Sequence, residues 1–364
     1  MQSDLETTLE QLVSIPSVSE NTAACREILE FVADQIKSHH LFISSDMERD
    51  NPWLIATTQD TKEPEILFVS HLDVVPAETA MFSMKKEGEK LIGRGVYDMK
   101  LAATAYLHFI RQQADRLSRL NIGFLFTTDE EIGGHSVPAL LELGWRPKVV
   151  FIPDGGDNWQ IEELAKGLYG IELTARGKTA HGSRPWEGEN ALHRIIDATN
   201  ELRKLFPHQS PDTATLSVNQ INGGTAINQI ADLATVKIDF RSFHREDLAL
   251  FYAEVVRLCD EFDLELSITQ EGSAHIFDKT SNTAKRFLSI LEEITEKPTE
   301  YTRSFGGSDA RHFAQYNIPC IVIEPYGGGR HSAHEWLLAS DLPRYYKLIE
   351  TWALDSSEVS ENDA

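Results

Sequence analysis

Ile66-Leu67-Phe68-Val69-Ser70-His71-Leu72-Asp73-Val74-Val75-Pro76 decides how the rest of the chain is read. Its apolar run, bounded by Pro64 and Pro76, has the pattern of a strand buried on both faces, as in a parallel sheet covered by helices. His71 and Asp73 fall at the carboxyl end of that strand, where open α/β sheets collect their ligands. One residue apart on extended backbone, they point the same way. An imidazole can bind a metal through one nitrogen while a carboxylate orients the other. A lone His-x-Asp is more often a satisfied core pair than a metal site. Its weight here comes from the polar residues at the ends of other strands.

Working outward, residues 121–126 and 149–152 read as further buried strands, and residues 41–44 and 53–57 as strands nearer the start. Helical spacing covers residues 5–13, with a capping box at Ser3 and Glu6, then residues 22–37 and the apolar stretch after Lys100. Strands alternating with helices predict a doubly wound, mostly parallel α/β sheet. From about Gly167 the texture changes to strand, helix, two strands, helix, strand, which is the order of a ferredoxin-like α+β unit. The expected organisation is a discontinuous domain of residues 1–166 and 278–364, interrupted by an insert of residues 167–277. The last ten residues, Asp355 to Ala364, are polar and acidic and are expected to be disordered.

Composition narrows the function. A formal net charge of −23 disfavours nucleic acid and anionic membranes as partners. Cys25, Cys259 and Cys320 are widely spaced, which suits core thiols in a reducing compartment and no thiolate zinc site. The first residues lack the basic and apolar regions of a secretory signal, so the expected location is cytoplasmic.

The polar residues at strand ends are His71, Asp73, Asp98, Glu130, Glu131, Asp154 and His331. Nitrogen and oxygen donors without sulfur suit Zn²⁺, with Co²⁺ or Mn²⁺ as substitutes. Two histidines and three carboxylates exceed the three protein ligands of a single catalytic zinc, and match two metals that share a carboxylate.

His-x-Asp-Val-Val-Pro from His71, Gly-Arg-Gly-x-x-Asp-Met-Lys from Gly93, Thr-x-Asp-Glu-Glu-Ile-Gly-Gly from Thr127 and His-x-x-x-Glu from His331 resemble the co-catalytic zinc metallopeptidase family. That family includes aminoacylase, acetylornithine deacetylase, succinyl-diaminopimelate desuccinylase, glutamate carboxypeptidase and peptidase T. The resemblance spans nearly the whole chain and implies two Zn²⁺ per subunit. By it, His71 and Asp154 hold one metal, Glu131 and His331 the other, and Asp98 bridges them, followed by a cis peptide bond to Met99. Glu130 is implied as general base and Asp73 as the carboxylate behind His71. His181 matches a lid histidine that in relatives reaches a neighbouring subunit's site, and this implies a homodimer through the insert. Asn228, Arg241, Gly307 and Ser308 fall in stretches that resemble substrate-holding segments. Arg303 and Arg311 either bind a substrate carboxylate or pair with surface acids. Asp154 stands where deacylases and carboxypeptidases of the family usually carry Glu, and resembles the aminopeptidase and dipeptidase branch. The expected activity is therefore small-peptide exopeptidase (aminopeptidase or dipeptidase), with N-acyl amino acid deacylation or desuccinylation, or carboxypeptidase action, as the alternative. A catalytically dead binding module on the same fold is the rival from another class.

Overall fold

The structure is a computed structural model that describes residues 1–360, with side chains described through Asp355. Two compact units are present. The first comprises Met1–Glu163, Ile276–Ser304 and Ser308–Ala364, and the second Leu164–His275 with Phe305–Gly307. The chain leaves the first unit within strand Ile161–Ala165 and returns within His275–Ile276, a few residues before the expected boundaries of 167 and 277. Phe305–Gly307, expected in the first unit, belongs to the second, where Phe305 supplies a backbone acceptor to Arg241.

In the first unit, a six-stranded sheet runs Phe42–Asp46, Trp53–Thr57, Ile122–Thr127, Ile66–His71, Val149–Ile152, Cys320–Val322. The last four are mutually parallel, and the first two form an antiparallel edge. Strand Ile66–His71 is buried throughout. Its alternate residues serve two cores: Ile66 and Phe68 pack with helices Gln2–Ser14, Lys100–Gln112 and the C-terminal helix, whereas Leu67 and Val69 pack with Ser136–Glu142 and Ala310–Gln315. Phe68 stacks on Phe124 at 5.5 Å between ring centroids, which fixes neighbouring strands in register.

Two local expectations change. Ser3 lies inside the first helix, which starts at Gln2 without a side-chain cap, because Leu5, Leu9 and Leu12 bury from the first turn onward. The second helix carries the cap instead, with Asn21 accepting from the Ala24 amide at 3.3 Å. The C-terminal helix runs from Asp341 to Ser360, so helical backbone reaches into the stretch expected to be disordered, and residues 361–364 lie outside the described residues.

The second unit is a four-stranded antiparallel sheet ordered Thr215–Gly223, Leu233–Ser242, Gly167–Arg176, Leu264–Gly272. That order is the ferredoxin-like one. Helices Ala191–Leu205 and Arg245–Phe262 cover one face through Ile195, Leu202, Phe251 and Leu258. Phe240 and Phe251 stack with centroids 4.2 Å apart at its centre.

Candidate metal centre

Parallel strands bring their carboxyl ends to one edge of the sheet, and the candidate ligands gather there. His71 ends its strand, Glu130 and Glu131 begin a short turn of helix after Ile122–Thr127, and Asp154 follows Val149–Ile152. Asp98 precedes helix Lys100–Gln112, and His331 sits in the loop before strand Trp336–Leu338. The Asp98–Met99 peptide bond is cis.

These residues form two triads that share one member. His71, Asp98 and Asp154 make the first, and Asp98, Glu131 and His331 the second, each with ligand atoms within 4.8 Å of one another. Asp98 turns Oδ1 to His71 Nε2 at 3.1 Å and Oδ2 to His331 Nε2 at 3.2 Å. Glu131 Oε2 approaches the same His331 nitrogen at 3.0 Å. Two ligand atoms on a tetrahedral zinc, each about 2.0–2.1 Å from it, stand about 3.3 Å apart. The spacing and the all-nitrogen-and-oxygen donor set therefore fit a pair of divalent metals.

The electrostatics fit as well. Burial pushes the Glu131 carboxyl up to about 7, with Asp98 adding to it. Burial and then Asp98 also raise Asp154. Burial favours the neutral form of Asp98, but hydrogen bonds from His331 and His71 outweigh it and hold the group well below the usual carboxylate range. Acids crowded out of water in this way surround a place for positive charge.

His71 is fixed from behind, though not mainly as expected. Its Nδ1 lies 3.0 Å from the Asp73 carbonyl, an acceptor that requires a proton on Nδ1 and leaves Nε2 facing the centre. The Asp73 carboxylate is farther, at 3.4 Å. It accepts instead from the amides of Glu130 and Glu131 at 3.3 and 3.2 Å and from Ser19 Oγ at 2.7 Å. Asp73 thus organises the turn that presents both glutamates.

Consecutive positions on that turn send Glu131 to His331 and leave Glu130 outside both triads. Burial, then Asp154 and Asp309, push the Glu130 carboxyl well above its ordinary value. Arg311 Nη1 donates to Glu130 Oε1 at 3.3 Å and Nη2 to the Gly133 carbonyl at 3.0 Å. Neither reading of Arg311 from the sequence describes this part-buried contact. The turn closes at Gly133 and Gly134, with φ of 119° and 66°. A Cβ on Gly134 would meet Asp309 Oδ1 at 2.4 Å, so only glycine fits there.

From the sequence, Glu335 has no role beyond closing the His-x-x-x-Glu motif. It is fully buried, accepts from the amides of Tyr97 and Asp98 at 3.0 and 3.1 Å, and takes Arg94 Nη1 at 2.6 Å. It ties the backbone of Asp98 to the loop of His331. Glu335→Ala leaves a buried guanidinium without its carboxylate, holding only the Ser332 carbonyl, and two amides without their acceptor, and should destabilise the protein by about 3–5 kcal/mol. Glu335→Gln keeps an acceptor and should cost less. Urea unfolding measures both, and an alanine variant within 1 kcal/mol of the parent contradicts this role.

The remaining expected residues belong to neither triad. Ser308, in the first unit, is buried, and its Oγ accepts from the Ala310 amide at 3.4 Å. His181, Asn228, Arg241 and Gly307 belong to the second unit. There His181 is exposed, with Nδ1 2.8 Å from Ser183 Oγ, and the Asn228 carbonyl accepts from the Gly182 amide at 2.7 Å. Arg241 donates through Nε and Nη2 to Asp239 and through Nη1 to the Phe305 carbonyl, so Asp239 balances much of its charge.

Known proteins share this architecture. The aminopeptidase PepT structure from Bacillus cereus ATCC 10987 superposes with a TM-score of 0.75 at 20% identity, covering 99% of both chains. The Bacillus subtilis YXEP protein, described as a dinuclear metal-binding peptidase, does so at 0.68 and 15% identity, covering 98% of both. In sequence, the succinyl-diaminopimelate desuccinylase of Rickettsia massiliae (strain Mtu5) is 24% identical over 382 aligned positions, 95% of this chain and 98% of that one. Residues 67–355, which hold both triads and Glu130, match the model of peptidase family M20/M25/M40, and the chain belongs to that family of amide-bond hydrolases.

Proposed function

We propose that the protein is a di-zinc exopeptidase of small peptides, with His71, Asp98 and Asp154 holding one metal and Asp98, Glu131 and His331 the other. The observation that carries this reading is Asp98, whose two carboxylate oxygens face a histidine of each triad at 3.1 and 3.2 Å. Metals bound there supply Lewis-acid polarisation of a water and of the scissile carbonyl. The chain's residues do the rest. Glu130 takes the proton of the attacking water and returns it to the leaving amine. Its burial keeps it basic enough for this beside two cations. Arg311 holds one oxygen of Glu130 and leaves the other for the proton. Asp73 keeps the amides of Glu130 and Glu131 fixed while charge moves.

For the substrate, Asp154 in place of a longer glutamate, and the likeness to the PepT aminopeptidase, support a peptide with a free amino group. A second reading, deacylation of N-acyl amino acids, is favoured by the desuccinylase relatives that align over nearly the full chain. Asn228, Arg241 and Gly307 are proposed to contact substrate. Pairing of two subunits through the second unit, with His181 completing the neighbour's site, is part of the proposal. The edge strand Thr215–Gly223, largely exposed, supports it. Three free cysteines suit a cytoplasmic setting.

A panel of dipeptides, tripeptides, N-acetyl and N-succinyl amino acids, assayed with Zn²⁺, Co²⁺ and Mn²⁺ in turn, tests the substrate class. We expect release of amino acids from free-amino peptides. Turnover confined to acylated amino acids replaces the first reading with the second.

A further inference from the structure

Arg330 and His331 are consecutive, yet they serve different triads. His331 has a left-handed backbone, φ 58°, and faces Asp98 and Glu131. Arg330 turns the other way. Its Nη1 donates to Asp154 Oδ1 at 3.2 Å, and its Nη2 lies against Glu324 and 3.8 Å from Asp157 Oδ1. The guanidinium carbon sits 5.3 Å from the ring centre of Tyr97, whose hydroxyl donates to Asp157 Oδ1 at 3.3 Å. Glu324 is fully buried, just beyond strand Cys320–Val322, and Glu162 is 2% exposed nearby. Acids therefore crowd one side of the first triad, and Arg330 is the cation that answers them.

We infer that Arg330 is a positioning residue for the metal of the His71–Asp98–Asp154 triad: it holds one oxygen of Asp154 and turns the other toward the metal. The inference rests on Asp154 being a ligand. A guanidinium so near a dication would ordinarily oppose metal binding. Here Glu324 lies against the same guanidinium and shares its charge, so orientation of Asp154 is the effect that remains. The planar fork reaches Asp154 and Glu324 through different nitrogens, which a lysine cannot reproduce.

The alternative is that Arg330 serves only as counter-charge to Glu324. Zn²⁺ affinity by chelator competition, and the absorption spectrum of the Co²⁺-loaded full chain, separate the two. Arg330→Met should weaken one of two sites by about 10–100-fold and alter the Co²⁺ bands of that site. Because a lone buried Glu324 will also destabilise the fold, the decisive variant is Arg330→Met with Glu324→Gln. It should recover thermal stability while the weakened site stays weak. Parental affinity and spectrum at both sites in that double variant overturn the inference. Asp154→Ala is run beside it and should lose the same site. If Asp154→Ala keeps two sites of parental affinity, the assignment of Asp154 itself falls.

Discussion

Glu130→Ala should lower kcat/KM by about 10²–10⁴ while the protein keeps its fold and its metals. In transition-state terms that is about 3–5 kcal/mol. The separation of effects follows from position. Glu130 contributes no atom to either triad, and its backbone is held by Asp73 through the amide rather than through its own side chain. Removing the carboxylate therefore leaves Glu131 pointing at His331 and the turn intact. What disappears is a partly buried carboxylate with raised proton affinity beside the centre. Glu130→Gln should fall nearly as far, since an amide keeps the shape and an acceptor for Arg311 but cannot take a proton. Metal content, circular dichroism and steady-state rates on one substrate check the set. Turnover within tenfold of the parent in either variant removes Glu130 from the role of base.

Asp98→Ala should have the opposite signature, loss of metal first and of activity as a consequence. Each triad would drop to two donors, His71 with Asp154 and Glu131 with His331, below the three protein ligands of a catalytic zinc. The crowding of carboxylates would ease at the same time, so the metal-free protein should fold. Its stability should no longer respond to added Zn²⁺. For the parent, zinc at 100 times the dissociation constant adds about 2.7 kcal/mol by linkage. Elemental analysis and thermal unfolding with and without zinc report the difference. Two metals per chain retained in Asp98→Ala would show that the carboxylate is not the bridge.

Part of this site is legible in the sequence because His71, Glu131 and Asp154, three of its five candidate ligands, sit at or just past strand ends, and strand ends can be found from apolar runs. Ile66 to Val69 places His71, Ile122 to Phe126 places Glu130 and Glu131, and Val149 to Ile152 places Asp154. What supports the ligands is less legible. Glu335 meets the Tyr97 and Asp98 amides across more than two hundred residues, and Arg311 meets Glu130 across nearly as many. Neither periodicity nor turn chemistry carries such pairings. Asp73 shows the intermediate case. Its proximity to His71 follows from strand geometry, but its carboxylate also accepts from amides on the turn after the next strand, which the parallel pairing of Ile66–His71 with Ile122–Thr127 brings near. The capping box at Ser3 fails for a related reason: apolar burial of the first turn sets where the helix begins.

Anomalous diffraction at the zinc edge from crystals of the protein grown with Zn²⁺ tests the central claim most directly. Two peaks per subunit are expected, about 3.5–4 Å apart. Asp98 should stand between them, His71 and Asp154 on one side, Glu131 and His331 on the other. A single peak, or two peaks that do not share Asp98, would contradict it.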